Sequence, residues 1–478
     1  MLKQLKKTIK SSLLRELHRR NELLRARLGQ IDGISPAAWG ASRDDAGELV
    51  IGGCSVAALA NEFGTPLHIV DNSRLKADFE NFINSFRSLY PKVEVGYSYK
   101  TNPLPGVLAE LHRVGALAEV ISHFELWLAL RLGVPPERIL FNGPGKTKEA
   151  IELAVREGVS LINIDSLAEI DEIANAAARV GRRQAVGVRI VTSVGWSAQF
   201  GLSVAAGDAF EGFRRMAVHP NLVATGLHFH LGTGIREAPI YLQAVREMLE
   251  FARRLRSELK VEIEHLDLGG GFGVPTVRPM SIWDQRLMAD GMPPGPVDTG
   301  AAARPSDYSK SIIELVRHYY GNNALLPTIY FEPGRALSSQ AQCLILKVLA
   351  IKDSGSRPKV ILDGGKNIAM PTGYELHELL PVKLATEARV PTDFFGPLCH
   401  PGDQLFVAKR FPRLKLGDLV ALMDAGAYFV PNQMNFSHAR PGAVMVEGGR
   451  AHVLRDRESF ADVVRLDRLD ASDGLLAA

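Results

Sequence analysis

The chain has 478 residues, of which 46% are hydrophobic and 23% charged, and its formal net charge is +3. These values are ordinary for a globular protein of two domains and give no indication of a nucleic-acid partner. No apolar run reaches the length of a membrane span, which predicts that there is no integral membrane segment. Cys54, Cys343 and Cys399 are widely separated, which excludes a disulfide framework or a metal pair and predicts a reducing, cytoplasmic setting.

The amino-terminal segment 1–30 is strongly basic. It holds nine Lys and Arg residues against Glu16 and Glu22, and its leucines recur at helical spacing. This pattern predicts a basic amphipathic helix. Three interpretations stay open: packing on its own protein or on a dimer partner, contact with an anionic surface or acidic carrier, and a transit segment.

From residue 66 onward, short β-rich runs alternate with amphipathic helical stretches. The runs lie at Val93–Tyr99, Ala118–Ser122, Ile139–Asn142, Leu161–Asp165, Val186–Ile190, Thr225–His230, His265–Leu268 and Thr328–Glu332. Eight strand–helix repeats favour an α/β fold, a closed parallel (β/α)8 TIM barrel over residues 66–335, rather than an open sheet. The stretch 275–305, rich in Pro, Gly and Ala, interrupts the pattern and predicts a surface excursion or lid.

After residue 335 the pattern changes. Apolar runs separated by Gly, Pro and Asp turns predict a mostly β, Greek-key-like domain over 336–460, followed by a tail over 461–478. Residues 31–65 precede the barrel pattern and are predicted to contribute to this β domain.

Reactive side chains collect where the barrel strands end. Lys100 closes the first strand, at the end where such barrels place their chemistry, and its amine could form a Schiff base with the aldehyde of pyridoxal phosphate (PLP). His228 and His230 end the sixth strand and point the same way, so a neutral imidazole could stack on the cofactor ring. Taken singly, such a lysine is usually a solvated residue at the rim of a barrel, and such histidines are usually hydrogen-bonded core residues.

Two later strands carry the remaining groups. Three successive glycines, 269–271, could direct backbone amides at a phosphate. Thr233, which follows the sixth strand, could bind a phosphate together with the backbone amides beside it. Glu332 could keep a pyridine nitrogen protonated, and Arg335 could neutralise phosphate charge. A flexible turn and a structural Glu–Arg pair are the ordinary alternatives, but the four features together are the parts that PLP requires.

The motif series Tyr-Lys-Thr-Asn, His-Leu-Gly-Thr, Gly-Gly-Gly-Phe-Gly and Glu-Pro-Gly-Arg resembles the fold-type III PLP-dependent decarboxylases, which include the ornithine, arginine and diaminopimelate enzymes with an alanine-racemase-like barrel. The resemblance covers roughly residues 60–450 and implies a homodimer with shared active sites. It implies these barrel roles: Lys100 as the Schiff-base lysine, His230 stacking on the ring, Glu332 on the pyridine nitrogen, Thr233, Gly270, Gly271 and Arg335 on the phosphate, and Ser122, Glu125 and Arg189 at further pocket positions.

In the second domain, Gly-Pro-Leu-Cys-His-Pro-Gly-Asp (396–403) resembles the family's cysteine motif, which enters the active site of the other subunit. By that resemblance Cys399 is the acid that protonates the carbanion after carbon dioxide leaves. Tyr428 resembles the tyrosine that reaches the cofactor phosphate, and Asp363 and Tyr374 resemble substrate-side positions.

Two departures from the family bear on the substrate. His400 stands where relatives that act on diamino acids carry an acid for the distal ammonium, and Met370 stands where the diaminopimelate enzymes usually carry an arginine. Loss of a buried charge partner costs a charged substrate several kcal/mol. The sequence therefore predicts a modified or conjugated amino acid as substrate: an amide, a carboxylate or a carrier-linked aminoacyl group.

Three other functions are compatible with parts of the pattern. An amino-acid racemase of the same fold presents an arginine to the pyridine nitrogen, so Glu332 favours decarboxylation. A non-catalytic PLP carrier is a lone barrel, so the second domain and Cys399 count against it. A phosphate-sugar barrel enzyme without PLP is the third alternative.

Overall fold

The computed structural model describes residues 2–321, 326–353, 355–384 and 388–468. Its α-helices are α1 Leu2–Arg27, α2 Val56–Phe63, α3 Asn72–Arg87, α4 Pro105–Arg113, α5 His123–Arg131, α6 Lys148–Glu157, α7 Leu167–Arg179, α8 Asp208–Met216, α9 Ala238–Leu259, α10 Ile282–Ala289, α11 Pro305–Tyr320, α12 Gly334–Ser338 and α13 Phe460–Val464. Short 3-10 turns lie at Pro36–Trp39, Tyr99–Thr101, Pro136–Arg138 and Met370–Gly373.

The strands before the β-rich region are β1 Ser42–Arg43, β2 Leu49–Ile51, β3 Cys54–Ser55, β4 Leu67–Asp71, β5 Val93–Ser98, β6 Leu117–Val120, β7 Ile139–Phe141, β8 Leu161–Ile164, β9 Gln184–Val191, β10 Leu202–Ser203, β11 Leu222–His228, β12 His265–Asp267, β13 Arg278–Pro279 and β14 Thr328–Phe331. The strands of the carboxyl-terminal β-rich region itself are β15 Gln342–Lys352, β16 Lys359–Leu362, β17 Glu375–Leu376, β18 Leu379–Pro381, β19 Val390–Phe395, β20 Gln404–Phe411, β21 Leu419–Leu422, β22 Gly442–Glu447 and β23 Arg450–Arg455.

The chain divides into two compact units. The barrel unit comprises residues 75–274 and 300–338, and the β unit comprises residues 1–74, 275–299 and 339–478.

In the barrel unit, eight parallel strands pair in the order β9–β11–β12–β14–β5–β6–β7–β8, and β8 pairs back onto β9. The predicted closed barrel is therefore confirmed, and each predicted strand is present, although all eight differ from the prediction by one to three residues at one end or both. The first strand ends at Ser98, so Lys100 lies in the 3-10 turn that follows it.

The helices of this unit form where their apolar residues recur every three to four positions. α9, for example, buries one stripe against the barrel, made of Tyr241, Ala244, Val245, Met248, Leu249, Phe251, Ala252 and Leu255. Serine and threonine caps start several helices: the Ser122 hydroxyl accepts from the Glu125 amide at the start of α5. Such caps fix where each strand-to-helix loop ends, and these loops carry the site.

The β unit is organised around β15. This strand pairs antiparallel with β16, β21 and β4, and β4 pairs in parallel with β22. Residues 67–71 are therefore part of the β unit, whereas a barrel starting at residue 66 was expected. The reason is that a short buried strand such as β4 can complete either sheet, and its strand partners decide which.

The Pro/Gly-rich stretch also differs from the expected excursion. Residues 275–299 contain β13, which pairs with β17, and helix α10, so this part of the stretch is built into the β unit. The basic helix α1 packs on it: Leu14 is fully buried, the Lys10 amine lies 3.6 Å from the Asp290 carboxylate, and the Arg25 guanidinium donates to the Pro294 carbonyl. These contacts with its own chain agree with the first of the three interpretations of this helix, in which it packs on its own protein or on a dimer partner.

Candidate active site

Lys100 stands at the carboxyl end of β5 with an acidic partner. Its amine donates to the Ser98 hydroxyl at 2.6 Å and to the Glu119 carboxylate at 2.9 Å. The lysine side chain keeps 28% of its exposure, whereas Glu119, on β6, is buried. An amine that is reachable from outside and oriented by a buried carboxylate can react with an aldehyde once it has lost its proton.

A chain of hydrogen bonds joins Lys100 to Glu332 across the barrel interior. Asn142, just beyond β7, donates to Glu119 at 3.0 Å and to Glu332 at 2.6 Å. Asn163, on β8, donates in turn to the Asn142 side-chain oxygen at 2.8 Å. Side chains from five strand regions therefore meet in one polar layer at the same end of the barrel.

Glu332, one residue past β14, is almost fully buried between two histidines. One carboxylate oxygen lies 3.5 Å from His228 Nε2 and the other 3.4 Å from His230 Nδ1. Burial alone raises the pKa of this carboxyl, but the neighbouring His228 outweighs it, with His230 and Lys100 adding to the effect, and together they hold the pKa well below its usual range. Glu332 is therefore an anion.

His230 is neutral near pH 7. Burial lowers the pKa of its imidazole, more than Glu332 raises it, because the charged form is costly in a poorly hydrated site. The His230 Nδ1 atom accepts from the Gly270 amide at 3.2 Å. The ring is thus tied to the glycine run.

The glycine run 269–271 is required by close backbone approaches. A Cβ on Gly270 would lie 2.2 Å from the Glu332 carbonyl oxygen, and one on Gly271 would lie 2.3 Å from the Gly232 carbonyl oxygen. Gly271 also has a φ of +89°, which L side chains rarely adopt. The Tyr241 hydroxyl donates to the Gly270 carbonyl and fixes the loop from the helix side.

The other predicted barrel residues lie around this layer. Arg189 is buried on β9, 3.7 Å from the Asp165 carboxylate, and burial lowers its pKa. Glu125 is buried and accepts from the Ile121 amide at 2.8 Å, and burial, with the nearby charge of Glu119, raises its pKa to about 7. Arg335 is buried in the first turn of α12, and Thr233 is half-buried in the loop after β11.

In the β unit, the cysteine motif and the stretch 364–371 are bound together by Asp403. Its carboxylate accepts from the Lys366 amide at 2.6 Å and from the Leu398 amide at 2.8 Å. Cβ atoms on Gly365 or Gly396 would come within 2.4 Å of that carboxylate, so only glycine fits at either position. Three of the predicted residues in these segments are exposed, namely Met370, Cys399 and His400.

Tyr428, Asp363 and Tyr374 also belong to the β unit. Tyr428 has a φ of +67°, an unfavourable conformation for a side chain of this kind. The Asp363 carboxylate accepts from the Lys347 amide of β15 at 2.8 Å, so it is partly engaged within the sheet. The Tyr374 side chain is 42% exposed.

Comparison with known proteins agrees with this geometry. Residues 76–339 match the family model for the pyridoxal-binding domain of pyridoxal-dependent decarboxylases. The chain belongs to this family. Diaminopimelate decarboxylase of Actinosynnema pretiosum is 31% identical over 89% of this chain and 93% of its own, and that of Aquifex aeolicus is 29% identical over 87% and 95%. A crystal structure of diaminopimelate decarboxylase from M. jannaschii, 27% identical, superposes with a TM-score of 0.81 over 90% of this chain and 98% of that one.

The chain is thus a PLP-dependent amino-acid decarboxylase, and its residues fit the cofactor. An accessible amine suits an aldehyde, an ionised buried carboxylate suits a protonated ring nitrogen, and a neutral imidazole suits a ring face. The glycine run and Arg335 supply donors for a phosphate. None of the helices in the described ranges is long and apolar enough to cross a membrane.

Several residues of this polar layer and its immediate surroundings were not found from the sequence. They are Ser98, Glu119, Asn142, Asn163, Trp196 and Asp267. The indication in the sequence was a polar residue within or just after an otherwise apolar strand, as with Glu119 in Leu-Ala-Glu-Val. Trp196 gave none, since it lies in a loop, where its ring comes 6.1 Å from that of His230.

Proposed function

We propose that this decarboxylase removes the α-carboxylate of an amino acid whose far end is not a free ammonium. An amide, a carboxylate or a carrier-linked aminoacyl group fits the proposal. The observation that carries it is the pair His400 and Met370, which replace the acid and the arginine expected at these motif positions. Both lie in segments bound together by Asp403, so the two changes alter one neighbourhood of the β unit.

Within that function, the barrel residues bind and orient. Bound PLP supplies an electron sink for the pair of electrons left when carbon dioxide departs. Lys100 provides the amine that binds its aldehyde and yields to the substrate amine. Glu332, as a buried anion, holds a proton on the ring nitrogen, and neutral His230 covers a ring face without adding charge.

The remaining predicted residues complete the proposal. Thr233, Gly270, Gly271, Arg335 and Tyr428 hold the phosphate, with Arg189 beside them. Cys399, entering from the second subunit of a homodimer, delivers a proton to the substrate α-carbon. Its exposed thiol agrees with a role outside its own fold, and the free state of all three cysteines supports a reducing, cytoplasmic setting.

A second candidate substrate is meso-diaminopimelate, because the relatives reported above are diaminopimelate decarboxylases. The two candidates differ in the charge of the distal end. Carbon dioxide release should therefore be measured with meso-diaminopimelate, ornithine, lysine and arginine, and with amides, dicarboxylic amino acids and citrate- or carrier-coupled amino acids. Brisk release from any of the first four substrates would defeat the proposal.

A gain-of-function variant sharpens this test. Met370→Arg combined with His400→Glu returns both charged groups, so kcat/KM for meso-diaminopimelate should rise at least about tenfold, or about 1.4 kcal/mol. The matched control is Leu416→Arg with His452→Glu, two exposed positions of the same unit with the same change of charge. An equal rise in the control, or no rise in the test variant, would contradict the assignment of these positions.

A further inference from the structure

Three buried ionisable side chains meet in a cluster that includes Glu332, the acid proposed for the ring nitrogen. His228 at the end of β11, Asp267 at the end of β12 and Glu332 after β14 each offer an atom within 4.8 Å of the other two. Their exposed fractions are 1%, 0% and 2%. Neither His228 nor Asp267 was predicted to take part in catalysis beyond its place in a motif.

Two carboxyl groups so close together in the interior cannot both be ionised, because each charge raises the cost of the other. Burial and the charge of Glu332 raise the pKa of Asp267 well above its usual range, while the two histidines and Lys100 draw that of Glu332 down. The proton shared by this pair therefore lies on Asp267. A protonated carboxyl can donate a hydrogen bond to its ionised neighbour.

Asp267 is also held in place by the backbone around it. One of its carboxyl oxygens accepts from the Gly269 amide at 3.0 Å, and its carbonyl oxygen accepts from the Phe229 amide at 3.0 Å. The Glu332 amide in turn donates to the Gly269 carbonyl at 2.9 Å. The same short segment thus fixes both carboxyl groups and begins the glycine run.

We propose that protonated Asp267 and His228 are positioning residues that keep Glu332 ionised and oriented for the ring nitrogen of the cofactor. Asp267 acts as a neutral donor on one side of Glu332, and His228 acts as a donor on another. The other charged or titratable groups that face the cluster are Lys100, Glu119, Arg189, His230, Tyr241 and Tyr330. The inference rests on the family to which the chain belongs and is independent of the substrate proposal.

Asparagine distinguishes a protonated aspartate from an ionised one, because it keeps the shape and is a neutral donor. Asp267→Asn should therefore keep the ring nitrogen of bound PLP protonated between about pH 6 and pH 9, as in the unaltered protein. Asp267→Leu removes the donor, so the ring nitrogen should lose its proton within that range, and cofactor affinity should fall at least tenfold. The measurement is the nitrogen-15 chemical shift of ring-labelled PLP in the holoenzyme, with affinity from titration of the apoenzyme.

His228 gives a second pair of variants with the same readout. His228→Gln retains a donor and should keep the protonated shift, whereas His228→Leu should move the shift toward that of a neutral ring. This pair decides the matter if Asp267→Leu fails to fold. Asp284→Asn in α10 is the matched control for an Asp-to-Asn change at a buried site, and its nitrogen-15 shift should not move.

The outcomes are distinct. If Asp267→Asn loses the ring proton as Asp267→Leu does, Asp267 acts as an anion and the proposal is wrong. If both leucine variants keep the protonated shift and the affinity, the cluster is structural and the proposal is also wrong. No amino-acid substrate enters these measurements, so failure of the substrate proposal would leave them unchanged.

Discussion

The hydrogen bond from Tyr241 to the Gly270 carbonyl should matter for both folding and cofactor binding. The Tyr241 ring stacks on Phe272 with centroids 4.6 Å apart and an interplanar angle of 10°. Burial raises the pKa of its phenol, so the hydroxyl stays protonated and donates. Tyr241→Phe keeps the ring and its stacking and removes only that donor.

The magnitude follows from what is left behind. The substitution leaves a backbone carbonyl without its donor beside a fully buried ring, which costs about 1–3 kcal/mol. For a unit of this size, each kcal/mol lowers Tm by about 2–4 °C. If about 1.4 kcal/mol of the loss comes from disorder of the glycine run, the dissociation constant for PLP rises about tenfold.

Thermal melts of the apoenzyme and fluorescence titration with PLP measure the two effects separately. Tyr308→Phe is the matched control: its ring meets the same Phe272 edge-on, but its hydroxyl makes only a 3.5 Å bond to the Ile235 carbonyl. We expect little change of either quantity in the control. A normal PLP affinity in Tyr241→Phe despite a lower Tm would refute the view that this bond orders a cofactor-binding loop.

Two further predictions concern ionisable groups in the barrel and β units. Burial raises the pKa of Glu125 from 4.5 to about 7. The contribution of its protonated carboxyl to the stability of the folded state is therefore complete below about pH 4.5 and is lost as pH rises through 7. Glu125→Gln should therefore raise Tm relative to the unaltered protein at about pH 8 but not at about pH 5, and melts showing the opposite order would contradict the burial argument. Cys399→Ala should leave the absorbance of bound PLP intact while slowing or misdirecting turnover, and unaltered kinetics and products would remove the thiol from the mechanism.

The arrangement of the barrel could be predicted because it depends on periodicity. Eight apolar runs separated by amphipathic helices favour one fold, a parallel barrel in which the carboxyl ends of all the strands lie at the same end. Lys100 and Glu332 follow two of these strands, so their common location required only the strand count. Motif order then indicated the cofactor and the family.

The sequence was less informative about which sheet a given strand joins. Residues 67–71 are buried like the barrel strands, yet they pair with β15 and β22 in the β unit. The stretch from 275 to 299 likewise became part of that unit through β13 and α10. Strand pairing is a long-range choice, and composition within a run does not record the partner.

What the amino-acid order fixed, then, was the repeat of strand and helix and the reactive groups at strand ends, because both follow from local period and direction. Only the folded barrel decided that Asn142 links Glu119 to Glu332 and that Asp267 lies beside Glu332. These contacts join residues far apart in the chain, and they depend on the barrel register and on how closely glycines let the backbone approach. Such distances are set by packing in three dimensions, which no local pattern encodes.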